Sequence, residues 1–472
     1  MDSIYDITSN TTLDTKADPV EYRKFFDQTS GSSTANDLTK AHWNFRVSDI
    51  NSYWLLHRAY LMVEFDIAPL AGAPNERVTL ANGIGNIIDR CVLRLGDTVV
   101  EDKPRHFYRE HELDTMTWSK QYVDTVGSLM MYHPNSLQNA DWTVANRGRS
   151  AYVKPGGGVA TIGDYTLDPE AFDVPESPEG HNRLLTQGRS TYAMIPLYHL
   201  FNMPKVYQRV IRGLDIELEI YTTNDNIRVI RSATQDDGTA SVAGSATNGT
   251  FHWKNAGLTL YLPRVVPPAQ EQARLNRMLA EGVAPKIEFE KSIVHRESIA
   301  SGNKSGEWSI TTNTSTPTRI YLMLRSQASE SDQNTPLYER QAFLSRLDLY
   351  VNGQHVPSEN LEAPGATGAS ITQRNFTTYL RQWHNSQGNF DGVYDGSVGG
   401  SHLGLADFEL KNIVAIDLKQ MGRDLVDKSS DIRVEYTLDN AVNKGHYLYA
   451  IVFSKSTVQL EMSEGRSVAI VK

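Results

Sequence analysis

Asp215-Ile216-Glu217-Leu218-Glu219-Ile220-Tyr221 alternates apolar and polar side chains, and Asp431-Ile432-Arg433-Val434-Glu435-Tyr436-Thr437 repeats the pattern 216 residues later. A period of two sends neighbouring side chains to opposite faces, so each stretch reads as a strand with one buried and one wet face. Other stretches recur in the same order in the two halves of the chain. Tyr60-Leu61-Met62-Val63 returns as Tyr321-Leu322-Met323-Leu324, an offset of 261 residues. Leu93-Arg94-Leu95-Gly96-Asp97-Thr98-Val99 returns as Leu349-Tyr350-Val351-Asn352-Gly353-Gln354-His355-Val356, with one residue inserted at the turn. An aromatic-rich stretch follows each, Phe107 to Trp118 and Phe376 to Trp383, and Leu258-Thr259-Leu260-Tyr261-Leu262 returns as Leu448-Tyr449-Ala450-Ile451-Val452. The offset shrinks along the chain because the first copy carries longer loops, which is how two related domains with different decorations differ.

The 472 residues exceed one ordinary core and suit two. With 40% hydrophobic and 22% charged residues, the composition excludes a wholly disordered chain. Short alternating runs separated by Gly, Asn, Asp and Pro point to sandwiches, and helical patterns are too few for alternating strand-helix units, so the expected class is all-β. The helical candidates are Phe107 to Met131, Gln270 to Glu281 and Asn375 to Trp383. The second follows Pro267-Pro268 and precedes Gly282-Val283-Ala284-Pro285, the punctuation of an interdomain linker. The expected layout is an arm over 1–40, a first sandwich over 41–268, a helix and linker over 269–285, a second sandwich over 286–462 and a tail over 463–472. Gln138 to Gly180, Ser232 to Gly249 and Ala363 to Gly404 read as long surface loops.

A formal charge of -10 argues against direct wrapping of nucleic acid, which needs an excess of clustered Lys and Arg. The single Cys91 lies in an apolar run and reads as a small buried hydrophobe. Met1-Asp2-Ser3-Ile4-Tyr5-Asp6 lacks the pattern of a signal peptide, and no apolar stretch reaches the roughly 18 residues of a membrane span, so secretion and membrane insertion are not expected. The sequons at Asn10, Asn248, Asn303, Asn313 and Asn375 therefore carry no functional weight.

A duplicated eight-stranded sandwich is the jelly-roll pattern, a fold of viral capsid, lectin and cupin domains. The opening Trp43-Asn44-Phe45-Arg46-Val47 through Trp54-Leu55-Leu56-His57-Arg58-Ala59-Tyr60-Leu61, the two similar halves, the interdomain helix and the long loops together resemble the double-jelly-roll major capsid proteins of DNA viruses. Within that lineage, which includes adenovirus and tailless-phage capsids, its compact length and opening resemble those of polinton-like viruses and virophages. The resemblance spans residues 41–472 and is architectural. It implies a homotrimer whose six jelly rolls form a pseudo-hexameric capsomer tiling an icosahedral virion shell, assembled inside the infected cell. The implied partners are neighbouring capsomers and penton and minor or cement proteins, with 1–40 and 463–472 tying neighbours together.

Motifs for chemistry are weak. His106 and His111 flank Phe107-Tyr108-Arg109-Glu110 at a spacing of i, i+5, which is not His-Glu-x-x-His and leaves one helix face. Pro155-Gly156-Gly157-Gly158 lacks the Lys-Ser/Thr ending of a phosphate loop, and no Gly-x-Ser-x-Gly elbow marks a nucleophile. Asp168-Pro169-Glu170 and Asp173 to Glu179 lack EF-hand spacing and read as a solvated acidic loop. Trp43, Trp54, Trp118, Trp142, Trp253, Trp308 and Trp383 could stack on sugars, but core and interface packing is the simpler account. No catalytic, cofactor-binding or metal-ligating residue is assigned, and no cofactor is expected. The expected function is a shell protein; the alternatives are a carbohydrate-binding or minor capsid and attachment protein, then a metal-dependent enzyme on a jelly-roll scaffold. Deleting part of Gln138 to Gly180 is expected to leave the solution mass of the assembled protein unchanged by light scattering; loss of assembly would overturn the loop assignment.

Overall fold

The alternation in the deciding stretch is realised directly. Ile216, Leu218 and Ile220 point into a sandwich and are buried, while Glu217, Glu219 and Tyr221 on the other face stay half-exposed. The structure, a computed structural model, describes residues 20–29, 41–49, 51–69, 77–132, 152–153, 184–185, 191–233, 249–281, 285–315, 317–331, 344–363, 377–386, 411–418, 429–439, 442, 445–463 and 466–471. The segments expected as loops at 138–180 and 232–249 lie almost wholly outside these residues, and so does 363–404 apart from Ala363 and the helix Thr377–Ser386.

In the first half the sandwich strands are β1 (Val20–Phe26), β2 (His42–Val47), β3 (Tyr60–Pro69), β4 (Ile88–Leu95), β5 (Thr98–Lys103), β6 (Thr191–Pro196), β7 (Ile216–Thr222) and β8 (Gly249–Val265). In the second half they are β9 (Lys286–Ile299), β10 (Ser305–Ser315), β11 (Pro317–Ser326), β12 (Leu344–Val351), β13 (Gln354–Glu362), β14 (Ile413–Asp417), β15 (Ser429–Leu438) and β16 (His446–Ser463). The first half forms sheets of order β1-β8-β3-β6 and β2-β7-β4-β5, and the second forms β9-β16-β11-β14 and β10-β15-β12-β13. Every strand thus has its equivalent eight places on, and the sheet orders are those of a jelly roll made twice. The class is all-β, as expected.

Inward side chains fill each sandwich: Trp43, Phe45, Leu61, Val63, Phe65 and Leu93 in the first, Leu322, Leu324, Leu349, Val434, Leu448 and Ala450 in the second, all within one continuous apolar cluster. In β8 the register slips between Trp253 and Leu258. There Gly257 has φ 63, and a Cβ on it would sit 2.5 Å from the Trp43 ring, so only glycine lets this bulge close over the indole. Asn352-Gly353 turns β12 into β13 with both residues at positive φ, the conformation that matches the twist of a two-residue hairpin.

Among the described residues, three longer helices complete the frame. Helix α1 (Phe107–Thr117) and helix α3 (Thr377–Ser386) occupy equivalent places, between the fifth and sixth strands of their sandwiches, and α2 (Ala269–Ala280) lies between the halves. The helix expected over 107–131 breaks at Trp118 and resumes as short turns at Lys120–Tyr122 and Val123–Gly127.

Two ends differ from the expected layout. Val20–Phe26, inside the segment read as an arm, is the first strand of the first sandwich and pairs antiparallel with β8 from Val20↔Val265 to Phe26↔Thr259. It is an edge strand with only Phe25 partly buried, so its sequence shows no alternation to find. Arg466–Val471, inside the segment read as a tail, folds back on β16 and lies beside β5 of the first sandwich. Leu218→Ala is expected to cost about 3 kcal/mol in urea unfolding, the usual loss for a well-packed buried leucine.

Candidate functional site at the junction of the two sandwiches

Helix α1 is built from Phe107-Tyr108-Arg109-Glu110-His111-Glu112-Leu113-Asp114-Thr115-Met116-Thr117, and nearly all of it is buried although half of it is polar or charged. A surface helix would expose those charges. This one is wedged between the two sandwiches, so both of its sides must find partners.

Toward its own sandwich, Phe107 joins the core, His111 Nε2 lies 3.1 Å from the Asn82 carbonyl oxygen, and the Thr115 hydroxyl donates to Asn82 Oδ1 at 3.3 Å. Burial lowers the His111 pKa to about 4, so the ring is neutral at physiological pH. Toward the second sandwich, four charges alternate in sign. Arg109 meets Glu330 at 2.7 Å and Glu112 at 2.6 Å, and Glu112 in turn meets Arg325 of β11 at 2.7 Å. Arg325 also donates to the Leu324 and Lys411 carbonyls, both at 2.7 Å. The Arg109 guanidinium lies over the rings of Tyr108 and Tyr449, at 4.9 and 4.7 Å, and the Tyr449 hydroxyl donates to Glu330. Glu112, Arg109 and Arg325 are at most 2% exposed. Burial alone pushes the Glu112 carboxyl up, but Arg325 and Arg109 outweigh it and hold its pKa at about 2.

The rest of α1 is tied down on its own side. Glu110 accepts from Lys103 at 2.6 Å, and Glu101 takes the backbone N–H groups of Asn202 and Met203 at the start of the turn Asn202–Val206, which packs on β9. Asp114 Oδ2 is 2.7 Å from His199 Nδ1, and His199 Nε2 is 2.6 Å from the Tyr122 hydroxyl. Burial lowers the His199 pKa, which leaves the ring neutral, donating from Nδ1 to Asp114 and accepting at Nε2 from Tyr122. Burial and the Tyr198 hydroxyl push the Tyr122 pKa up, so the phenol stays protonated and can donate to His199 Nε2.

These groups wall a cleft of about 500 Å³ between the sandwiches, lined by Leu113, Asp114, His199, Phe289, Arg319 and Lys455 among others. Its charged rim is internally paired: Arg319 with Glu290, Lys205 with Asp114 at 3.3 Å, and Glu288 between Lys286 at 2.7 Å and Lys455 at 2.9 Å.

Among the described residues, no group of three or more His, Cys, Asp or Glu side chains is placed to hold a metal ion. His106 and His111 are not brought together: His106 packs edge-on against Tyr108 and Tyr449, while His111 turns into the first sandwich. The one acid between them, Glu110, is the ion-pair partner of Lys103. Cys91 is fully buried and burial pushes its thiol pKa well up. Trp43, Trp54, Trp118, Trp253 and Trp383 are all buried and Trp308 packs against the core, whereas Trp142, Pro155 to Gly158 and Asp168 to Glu179 lie outside the described residues. No described helix is long and apolar enough to cross a membrane. The sequence reading missed the junction itself. Arg109 and Glu112 stand at i, i+3 in this helix, but their partners Arg325 and Glu330 lie over 200 residues away.

No protein-family model matches the sequence, and no curated protein matches it. Solved structures do. A chain of the Sputnik virophage, seen by cryo-EM, matches at a TM-score of 0.57, with 13% identity over 99% of this chain and 91% of that one. The mavirus major capsid protein matches at 0.56, with 11% identity over 99% and 92% of the two chains. The fold is the double jelly roll of viral major capsid proteins. The Faustovirus major capsid protein shares it at a TM-score of 0.53 and 9% identity, over 96% of this chain and 92% of that one. At such identities the double jelly roll is held in common by strand order and spacing.

Breaking the charge chain is expected to be severe. Glu112→Ala leaves two buried guanidinium groups short of their carboxylate and should cost about 3–5 kcal/mol in urea unfolding. The depressed pKa of Glu112 contributes stability that is complete above the ordinary carboxylate value of 4.5 and is lost as pH falls toward about 2. The stability of Glu112→Gln should therefore fall less steeply than that of the natural protein between those pH values.

Proposed function

We propose that this chain is a major capsid protein whose homotrimers form pseudo-hexameric capsomers of an icosahedral virion shell. The observation that carries the reading is the doubled sheet order, β1-β8-β3-β6 with β2-β7-β4-β5 and then β9-β16-β11-β14 with β10-β15-β12-β13, laid along the same length of chain as in the capsid proteins it resembles. Its role is structural and not enzymatic. The paired charges and packed aromatics of the junction support it: they fix the two sandwiches against each other as one block, which a tiling unit requires.

In this reading the two sandwiches stand side by side, with 269–285 as the linker between them. The residues before β1 reach neighbouring molecules, whereas the C-terminal strand Arg466–Val471 is already paired within its own chain, and capsomers, penton and minor or cement proteins are the partners. Assembly takes place inside the infected cell. The net charge of -10 suits a shell that leaves genome neutralisation to other components.

The test is the mass of the purified protein by light scattering after size exclusion, with negative-stain images of the same fractions. A stable species of three chain masses with a hexagonal outline is expected. A chain that stays monomeric at high concentration would overturn the reading and favour a carbohydrate-binding or attachment role, to be followed by a glycan screen.

A further inference from the structure

The contact between the sandwiches of one chain is directional. The first sandwich contributes a helix, α1, and the second contributes the outward face of β9-β16-β11-β14, where Arg325 and Tyr449 meet that helix and are almost wholly buried. Because the two halves share one topology, each owns both parts. The second sandwich has α3 where the first has α1, and the first has the outward face of β1-β8-β3-β6.

That face is open. Tyr22 is 46% exposed, Phe26 60% and Tyr192 52%. Tyr60 stacks on Tyr261 with ring centroids 4.9 Å apart, and Tyr22 lies 5.7 Å from Tyr60, so the aromatics form a strip across three strands, with Met62 and Met194 half-buried on the same side. A contiguous exposed aromatic face is uncommon on a protein that stays alone, and aromatic side chains and Met are enriched in the buried centres of interfaces.

The chemistry indicates what covers it. In the repeat that aligns Tyr60-Leu61-Met62-Val63 with Tyr321-Leu322-Met323-Leu324, Glu64 stands where Arg325 stands. Arg325 receives the acidic helix α1 through Glu112. The other helix has the opposite sign: α3, Thr377-Thr378-Tyr379-Leu380-Arg381-Gln382-Trp383-His384-Asn385-Ser386, has no acidic residue. Its inner side, Tyr379 and Trp383, is buried in its own sandwich, and Arg381 is on the exposed side. Both members of the contact are thus present a second time with their charges exchanged.

We propose that α3 of one copy docks on the outward face of β1-β8-β3-β6 of a second copy, with Arg381 toward Glu64, repeating between chains the contact that α1 makes within one. The contact rests on the capsomer reading and gives it a specific surface. It is head-to-tail, the kind that closes into a ring when the rotation permits.

Cys91 is buried, so new surface thiols can be read cleanly. In a chain carrying Glu64→Cys and Arg381→Cys, treatment with a short bis-maleimide should give covalent products between chains that stop at three chain masses on a denaturing gel, and either single variant should give far less. Independently, Glu64→Arg and Arg381→Glu should each weaken the assembly by about tenfold or more in dissociation concentration, and the double exchange should restore it, with far-ultraviolet circular dichroism confirming that each variant folds. A three-chain species that neither cross-links at these positions nor responds to the exchange would overturn this contact while leaving the capsomer reading in place. A persistent monomer in the unaltered protein would overturn both.

Discussion

The position of one sandwich against the other depends on a carboxylate buried between two arginines. Removing Glu112 from water is costly, and so is removing Arg109 or Arg325; each is tolerable only because the others are within 2.6 to 2.7 Å. An apolar interface of the same area could slide by a side chain's width at little cost. A buried chain of alternating charges cannot, because any displacement leaves an unpaired charge in a low-dielectric site. Stability alone does not explain such an arrangement, since a well-packed apolar junction would hold at least as firmly. What the charges add is a single permitted docking geometry.

Helix α1 is the element that makes this possible, and it shows how little the repeat constrains decoration. Its equivalent, α3, sits at the same point of the topology but anchors inward through Tyr379, whose hydroxyl donates to the Leu344 and Leu361 carbonyls at 3.0 and 3.1 Å, and through Trp383 packed on Tyr321. Strand order was kept in the two halves while helix chemistry diverged. The barrel interiors ask only for apolar side chains of about the right size, whereas each helix must answer a different neighbour.

This division explains what could be read in the sequence. Period-two alternation is local, so β7 and β15 were legible from their own residues, and the Asn352-Gly353 turn was visible within the matched segment. Strand β1 was not legible, because an edge strand that exposes almost every side chain carries no alternation. The junction was not legible for a different reason. Arg109 and Glu112 could be seen together, but whether an Arg-x-x-Glu pair is a solvated surface pair or half of a buried network depends on Arg325 and Glu330, which only the fold brings near. His106 and His111 drew attention as ligands through proximity in sequence, yet the fold sends one toward Tyr449 and the other toward Asn82.

The exchange of charge between Arg325 and Glu64 also bears on how a ring of sandwiches would keep its order. Six sandwiches of one topology could in principle join in the wrong sequence, with a first sandwich donating its helix to another first sandwich. That contact would set Glu112 of α1 against Glu64, two carboxylates in a site that excludes water, and like charges so placed cost several kcal/mol. The opposite error would set Arg381 of α3 against Arg325, with the same penalty. Only the alternating order brings unlike charges together at every step. The proposed contact thus makes the sign of two residues, and not the shape of the sandwiches, the feature that separates the correct ring from its misordered alternatives.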